Sequence, residues 1–506
     1  MPTVNSGRER GTLAIVLHTH MPYVEGFGTW PFGEEWLWEA IAGCYLPLLD
    51  LLDSGAPLTL SLTPVLCDQL EAPGLAERFA AFVTDVRRAT HEQDAAGLRA
   101  GGHDTLAREL DRSWSDYAGA LESLQRRDGD LLGAFAPHAQ WTSSATHSIL
   151  PLAATDAGVR MQVQSGVSSH RRRFGDWRGG FWLPECAYAP WLQRALQDAG
   201  ARTVCVELTS RFGLGAREHL RPLASDSGVM LVPIDRSTIS LVWSDGGYPA
   251  AGAYRDYHHH TVHHHNPWNN DGGAYDHADG LAQAQAHAAD FVACTIARLR
   301  DGGETARGGA GPSSGGLVVC AVDTELFGHW WYEGIAWLQA VIEECSRQGL
   351  ELMRLDDALE RIEPVAADGE GLERGGAGLR ARPGEGDVGD RPEIAQQASS
   401  WGRGGDLSTW SGPAVADMAF AVRAAELDVV AAGRQAGTAA VRELLALQAS
   451  DWPFMVSREI AVPYARERFH GHLQALTRAL AAGAQADAAG LRNLAIDADR
   501  GSLLAP

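Results

Sequence analysis

The first 364 residues alternate between short apolar runs and longer segments whose apolar residues recur at helical spacing. The short runs predict buried strands, whereas the longer segments predict helices between them. The predicted strands are 12–20, 58–62, 161–164, 180–183, 203–206, 230–233 and 317–322, and the clearest predicted helices are 34–54, 190–200, 280–300 and 333–348. Alternation of this kind is typical of an α/β protein with a parallel barrel or a doubly wound sheet.

Three further regions depart from this alternation. Residues 68–134 are rich in Ala, Leu, Arg and Glu at helical spacing, which predicts a helical insertion. Residues 365–396 are rich in Gly, Asp, Glu and Arg and can bury little apolar surface, so we interpret them as a flexible loop or linker. Residues 397–506 are mostly helical in pattern. We therefore predict a barrel domain over 1–364, a linker and an all-α C-terminal domain.

Composition limits the classes of partner and the location. The formal net charge of −22 and the lack of a basic cluster argue against a nucleic-acid partner. No run of 18 apolar residues predicts a membrane span, and the polar N-terminus does not resemble a secretory signal. The seven cysteines include no CxxC pair. Reduced thiols in a cytoplasmic protein are the simplest interpretation.

Two acidic residues stand out because each follows an apolar strand and is framed by tryptophan. They are Glu185 and Asp323. A carboxylate in such surroundings is costly to desolvate unless chemistry or a partner holds it. A pair of carboxyl groups is what cleavage or transfer at a glycosidic bond requires. Glu325 and Glu333 are alternatives for the second role, and a structural salt bridge is the alternative for each acid.

Histidines form two further candidate features. His18 and His20 end the first strand at positions i and i+2, so both imidazoles share one face and can reach one pocket. They could bind substrate, bind metal or simply hydrogen-bond at a strand end. The tract His258–His265 could bind metals adventitiously, but we interpret it as an exposed loop without a dedicated metal site. The 16 tryptophans suggest that several provide faces for sugar rings.

Short motifs distributed over nearly the whole chain resemble those of glycoside hydrolase family 57, and most closely those of its 1,4-α-glucan branching enzymes. These motifs lie in order at 18–23, 35–40, 145–147, 182–188, 323–330, 400–402, 450–455 and 464–469. The resemblance implies a (β/α)7 barrel with a helical insertion and an all-α C-terminal domain. It also implies a retaining double displacement on an α-glucan polymer, without metal or organic cofactor. The sequence leaves the oligomeric state open, and we favour a monomer.

The resemblance also implies roles for individual residues. Glu185 would be the nucleophile, and Asp323 would be the general acid and then the general base. Tyr248 would lie on a loop that shields the covalent intermediate from water. The implied substrate-binding residues are His18, His20, His147, Tyr248, Trp268, Trp401, Trp410 and Asp451. The sequence departs from the family pattern just after Tyr248, where the histidine tract replaces an acidic and aromatic stretch.

Three other functions compete with branching. In an α-amylase-like hydrolase of the same family, water would take the place of the acceptor hydroxyl. A metal-dependent polysaccharide deacetylase would use an aspartate with two histidines in a related barrel. A non-catalytic glucan-binding protein would use the tryptophans without turnover.

Overall fold

The computed structural model describes residues 11–28, 33–303, 316–367, 398–486 and 489–503. Its strands are β1 (Thr12–Thr19), β2 (Thr59–Leu62), β3 (Ala139–Ser143), β4 (Gly180–Trp182), β5 (Thr203–Val206), β6 (Leu223–Ala224), β7 (Met230–Pro233), β8 (Leu317–Asp323), β9 (Glu351–Leu352) and β10 (Val365–Ala366). Strand β1 is buried along its whole length, as expected for a parallel strand covered on both faces.

Helices connect and surround these strands. They are α1 (Glu34–Ala40), α2 (Leu46–Asp53), α3 (Pro64–Leu70), α4 (Leu75–Ala81), α5 (Arg88–Ala100), α6 (Asp104–Arg126), α7 (Leu131–Phe135), α8 (Asp156–Phe174), α9 (Leu192–Asp198), α10 (Thr209–Phe212), α11 (Arg236–Val242), α12 (His277–Gly303), α13 (Gly334–Gln348), α14 (Leu355–Leu359), α15 (Ser408–Ser411), α16 (Ala416–Ala432), α17 (Thr438–Leu447), α18 (Asp451–Ser457) and α19 (Val462–Ala482).

Seven parallel strands form the barrel predicted from the family resemblance. Their order is β7-β5-β4-β3-β2-β1-β8, with parallel pairing at every step. The two ends of this row meet, because the backbone nitrogen of Asp235, just after β7, donates a 2.9 Å hydrogen bond to the carbonyl of Val319 in β8. Strand β6 pairs antiparallel with β7, β10 pairs with β6, and β9 lies beside β1. All seven carboxyl ends therefore lie at one mouth of the barrel.

One predicted strand is wrong, one strand of the barrel was not predicted, and neither were the two-residue strands β6, β9 and β10. Residues 161–164 lie inside α8, a helix whose N-cap Thr155 accepts a 3.0 Å hydrogen bond from the backbone of Gly158. Strand β3 supplies the barrel position instead. Its sequence is AQWTS, which is too polar to stand out as an apolar run. The other six predicted strands are confirmed at the same places in the chain.

The predicted helical regions are also present. Helices α4 to α7 occupy the predicted insertion, and α15 to α19 follow the barrel near the C-terminus. Most of the predicted linker, from residue 368 onwards, lies outside the described residues. Its first two residues are an exception, because Val365 and Ala366 form β10 and extend the sheet through β6. The domain boundaries themselves stay a prediction.

The C-terminal helices are tied to the barrel by buried polar contacts. Asp68 accepts hydrogen bonds of 2.6 Å from the side chain of Arg173 and from the backbone nitrogen of Ala495. Glu426 of α16 accepts from the backbone and the hydroxyl of Thr155, at 2.8 and 2.7 Å. Because Asp68, Arg173 and Glu426 have buried side chains, these contacts help to fix how the C-terminal region sits on the barrel.

Candidate active site

The strand register brings the first histidine and the second acid together. His18 in β1 is the direct partner of Asp323 in β8 and of Ser61 in β2. Parallel neighbours in register present their side chains at the same height, and Asp323 is the last residue of β8. Glu185 follows β4 by three residues and therefore reaches the same mouth of the barrel. This is the face at which parallel barrels place their active sites.

Glu185 occupies an unusual backbone conformation. Its φ is +60°, and the next residue, Cys186, has a φ of +49°. Two consecutive non-glycine residues in the left-handed region are costly, so the surrounding structure must hold them. The carbonyl of Glu185 accepts a 2.9 Å hydrogen bond from the backbone of Trp401, and the nitrogen of Cys186 donates to the carbonyl of Leu183 at 2.8 Å. This turn aims the carboxyl group of Glu185 into the barrel mouth.

The carboxyl group of Glu185 has one strong donor. The indole nitrogen of Trp401 donates a 2.6 Å hydrogen bond to its Oε2, and the Trp401 ring packs against Trp182 with centroids 5.2 Å apart. Burial raises the pKa of Glu185 to about 7, although the bond from Trp401 lowers it in part. The negative charge of Asp451 raises it further. Near neutral pH Glu185 can therefore exist as a carboxylate poised for attack.

The surroundings of Asp323 favour its protonated form. Burial raises its pKa well above the usual range, and the negative charges of Glu185, Glu325 and Asp451 add to that effect. Both Asp323 and Glu185 nevertheless keep some accessible surface at the mouth of the barrel. Because the charge of Glu185 acts on Asp323, the two carboxyl groups share one electrostatic environment. Such a pair is compatible with an ionised role for Glu185 and a proton-donating role for Asp323.

Three histidines stack beside this pair. The Nε2 atoms of His18 and His147 are 2.9 Å apart, and the rings of His20 and His147 stack with centroids 3.9 Å apart. His18 also stacks on Trp182 at 4.7 Å. His147 has a φ of +57°, so the loop after β3 must be held to keep its ring in the stack. Sequence order predicted the side-by-side placement of His18 and His20, whereas their contact with His147 came only from the motif resemblance.

Residues from the C-terminal helices orient these histidines. The Nδ1 of His147 is 2.7 Å from the hydroxyl of Ser450, and the Nε2 of His20 is 3.0 Å from Oδ1 of Asp451. The Nδ1 of His20 is 3.2 Å from the hydroxyl of Thr63. Ser450 and Thr63 were not predicted as site residues, although Ser450 lies in a motif that carried the resemblance. The sequence gives no separate signal for Thr63.

The three imidazoles differ in protonation. Burial and the charge of His20 lower the pKa of His18 well below its usual value, and burial has the same effect on His147. Burial lowers the pKa of His20 as well, but the charge and hydrogen bond of Asp451 outweigh it, so the pKa of His20 is raised. Two neutral rings and one ring that gains a proton readily can present both donors and acceptors to a polar ligand.

The same donor atoms have a spacing that suits a cation. Ligand atoms of His20, His147 and Asp451 all lie within 4.8 Å of one another. Each of these atoms belongs to a side chain that already has a hydrogen-bond partner within the protein. The cluster can therefore bind hydroxyl groups or a metal ion, and its geometry alone does not choose between them.

The two alternative acids have structural partners. Glu325 is buried and accepts hydrogen bonds from the hydroxyl of Tyr45 at 2.7 Å and from the backbone of His20 at 3.0 Å. Glu333 is buried elsewhere and accepts from the backbone of Arg255 at 3.1 Å. Both carboxyl groups are thus engaged in holding loops, which favours Asp323 over either of them as the second acid.

Three predicted substrate-binding residues lie apart from the histidine cluster. The hydroxyl of Tyr248 donates to Asp290 of α12 at 2.6 Å. Trp268 stacks on His259 with centroids 3.8 Å apart. Trp410 is only 2% exposed and packs with Ile149 and Ala187, two residues beyond Glu185. Within the described part of the chain, no hydrogen bond or ring contact joins these three side chains to the cluster, and their roles stay predictions.

The histidine tract is only partly the exposed loop that we predicted. His258, His259, His260 and His264 are exposed, but His265 is buried against the helical insertion. The tract is anchored there because His263 contacts Asp94 of α5 at 2.7 Å. None of its residues belongs to the potential metal cluster found among the described residues.

No helix within the described ranges has the length and apolar character needed to cross a membrane.

The family profile of glycosyl hydrolase family 57 matches residues 140–367, and the profile of the 1,4-alpha-glucan branching enzyme C-terminal region matches residues 414–496.

Relatives that match nearly the whole chain are also branching enzymes of this kind by name. The chain is 30% identical to the 1,4-alpha-glucan branching enzyme of Thermococcus kodakarensis over 91% of its own length and 72% of that protein. It is 31% identical to the probable 1,4-alpha-glucan branching enzyme of Mycobacterium tuberculosis, over 94% of this chain and 93% of that one. The crystal structure of the Thermococcus enzyme in complex with glucose superposes with a TM-score of 0.82, at 28% identity over 98% and 96% of the two chains. This chain belongs to glycosyl hydrolase family 57.

Proposed function

We propose that this protein is a retaining 1,4-α-glucan branching enzyme. The observation that carries the proposal is the placement of Glu185 and Asp323 at one mouth of the barrel, where Glu185 can ionise near neutral pH and the pKa of Asp323 is raised well above its usual range. The family membership and the names of its relatives support this assignment. All seven cysteines are free, which supports a reducing compartment such as the cytoplasm.

The electrostatic coupling suits a double displacement. In the first step the Glu185 carboxylate attacks the anomeric carbon while Asp323 gives its proton to the departing glycosidic oxygen. Formation of the glucosyl ester removes the charge of Glu185, and that charge is one cause of the raised pKa of Asp323. The pKa of Asp323 therefore falls at the point where it must accept a proton from the 6-hydroxyl of the acceptor chain.

The histidine cluster supplies the hydrogen bonds that a bound sugar needs. His18 and His147 are neutral, so each ring can donate from one nitrogen and accept at the other. His20 is closer to the charged form and faces Asp451, which favours it as a donor to a sugar hydroxyl. Preorganised groups of this kind stabilise the transition state because they need no rearrangement during the reaction.

Linkage analysis of the product made from amylose tests the proposal. A branching enzyme creates α-1,6 linkages with few new reducing ends, and the Glu185→Gln variant should create neither. Reducing ends without branches would show that water, not a glucan hydroxyl, accepts the chain. An unmodified amylose sample with retained glucan binding would instead indicate a non-catalytic glucan-binding protein.

Hydrolysis is the second candidate, and the position of Tyr248 favours it. Exclusion of water from the covalent intermediate was assigned to this tyrosine, yet its hydroxyl is bound by Asp290 and its ring stacks on His287 at 4.4 Å. Among the described residues, no hydrogen bond or ring contact joins Tyr248 to Glu185 or Asp323, so this arrangement gives the tyrosine no part in shielding the intermediate. The deacetylase alternative is set aside because the chain belongs to family 57.

A further inference from the structure

One cavity of the structure is lined by none of the residues of the catalytic cluster. It has a volume of about 110 Å³ and lies between α6, the histidine tract and the segment that follows Glu325. We call it the Trp330 pocket, and the residues that matter to the argument are Glu39, Tyr117, Tyr257, His329 and Trp330. At about 10–15 Å³ per water, this space holds a group of several waters or a comparably sized polar ring.

Two aromatic rings form one side of the Trp330 pocket. Tyr257 and Trp330 lie with centroids 4.6 Å apart and planes tilted by 39°. Trp330 remains 43% exposed, although large aromatic side chains normally bury most of their surface. An exposed indole at the edge of a cavity offers an apolar face to the C–H groups of a sugar ring.

Three polar groups beside these rings have no hydrogen-bond partner in the part of the chain that the structure describes. Among the described residues, nothing hydrogen-bonds to the hydroxyl of Tyr257, to the imidazole of His329 or to the indole nitrogen of Trp330. Burial raises the pKa of Tyr257 to about 12 and lowers that of His329. At neutral pH the tyrosine is thus a donor, and the neutral imidazole both donates and accepts, as sugar hydroxyls require.

Charged residues also line the Trp330 pocket. Glu39 accepts hydrogen bonds of 2.6 Å from both the hydroxyl of Tyr117 and Nε of Arg87. Arg87 also donates to the backbone carbonyl of His263 at 3.0 Å, which fastens the histidine tract against the pocket. The carboxylates of Asp116 and Asp256 line the pocket as well. Arg255 also lines the pocket, so charges of both signs surround this space and a neutral sugar is not repelled.

The Trp330 pocket lies within reach of a glucan bound at the catalytic cluster. The backbone nitrogen of Trp330 donates a 3.2 Å hydrogen bond to the carbonyl of Glu325, so the segment after Asp323 folds back on itself. Asp323 and Glu325 are two residues apart, which limits the distance between their Cα atoms to about 7.6 Å. A chain held at Asp323 thus needs only a few glucose units to reach Trp330.

We propose that the Trp330 pocket is a binding subsite for one glucose unit of an α-1,4-glucan chain, remote from the bond that reacts. The proposal rests on the proposed function, since it takes the polymer at the catalytic cluster to be such a glucan. It also gives the histidine tract a role, because the tract closes the pocket against the helical insertion.

Calorimetric titration with maltoheptaose in the non-reacting Glu185→Gln background tests the subsite. Trp330→Ala should weaken binding about tenfold, because a sugar face would lose its apolar cover. Tyr257→Phe keeps the ring and removes one hydrogen bond, so it should weaken binding about threefold and is the variant to use if Trp330→Ala unfolds. Trp191→Ala is the matched control, because Trp191 is 50% exposed and does not line the pocket.

Trp330→Ala and Tyr257→Phe proteins that bind maltoheptaose as the Trp191→Ala protein does would overturn the subsite. Branching of amylose by the wild type would then still support the proposed function. Conversely, weakened binding in both pocket variants, together with a wild type that forms no α-1,6 linkage, would support the subsite and overturn branching.

Discussion

Trp401 holds Glu185 at two points, with its indole nitrogen 2.6 Å from the carboxylate Oε2 and its backbone nitrogen 2.9 Å from the carbonyl oxygen. The second bond fixes the left-handed backbone of Glu185, and the first fixes the direction and the charge of its side chain. One residue from beyond the barrel thus controls both the placement and the acidity of the proposed nucleophile.

Replacing Trp401 by phenylalanine should shift the acidic limb of the pH profile upward. The variant keeps the backbone hydrogen bond but loses the indole donor. Because that donor stabilises the ionised form of Glu185, its loss should raise the pKa of Glu185. The limb that reports Glu185 should therefore move from near pH 7 to a higher value by about one pH unit. The pH dependence of kcat/KM on amylose measures it. Trp243→Phe, at an exposed tryptophan, is the control, and an unmoved limb in Trp401→Phe would contradict the assigned role.

The wild-type profile should be bell-shaped. In the proposed mechanism, activity needs Glu185 deprotonated, so kcat/KM should rise with pH as its pKa of about 7 is crossed. It also needs Asp323 protonated, so the rate falls again at higher pH, as expected from the strongly raised pKa of that group. Both limbs belong to the coupled pair and not to either acid alone. A rate that is already maximal at acidic pH and stays constant would argue against this assignment of roles.

Replacing each acid by its amide should distinguish the two proposed reacting acids, Glu185 and Asp323, from the structural acid Glu325. Glu185→Gln and Asp323→Asn should each reduce kcat by at least about 10³-fold, because each removes a group that acts on the reacting bond. Glu325→Gln keeps an oxygen that can accept from Tyr45 and from the His20 backbone, so kcat should fall by about tenfold or less. Single-turnover rates on a maltooligosaccharide compare the three. A Glu325 variant as inactive as Glu185→Gln would make Glu325 a catalytic residue.

Asp68→Ala should destabilise the whole protein. The variant leaves the backbone nitrogen of Ala495 without its acceptor and removes one partner of Arg173, and the side chains of both Asp68 and Arg173 are only 2% exposed. Loss of one member of such a buried pair costs about 3 kcal/mol. The shift in the urea midpoint measures the change in free energy of unfolding. Glu92→Ala, which breaks an exposed pair with Arg88, should change it by less than about 0.5 kcal/mol.

The barrel could be predicted from sequence wherever a strand is apolar. Residues 317–322 and 203–206 are buried on both sides and have the pattern of a parallel strand. Strand β3 escaped prediction because its polar residues have specific partners, such as Gln140, whose side chain accepts from the backbone of Leu60 at 2.8 Å. Residues 161–164 were wrongly predicted as a strand, because apolar residues that alternate over only four positions also fit one face of a helix.

The two acids of the candidate site could be predicted from the sequence, whereas the residues that hold the neighbouring side chains could not all be predicted. Glu185 and Asp323 were visible because an acid next to tryptophan at a strand end is unusual. The contact of Thr63 with His20 depends on the register between two strands, and that register is not a property of either segment. The burial of Trp410 was not foreseeable either, because an exposed and a buried tryptophan look alike in sequence.

The participation of Ser450 and Asp451 in the histidine cluster has a consequence for biosynthesis. All seven barrel strands are complete once Asp323 has left the ribosome, yet the two residues that orient His147 and His20 emerge more than a hundred positions later. A nascent chain therefore carries both acids well before Ser450 and Asp451 can orient His147 and His20. If the proposed site is the active site, the growing polypeptide should gain glucan-cleaving activity only once the C-terminal helices have left the ribosome.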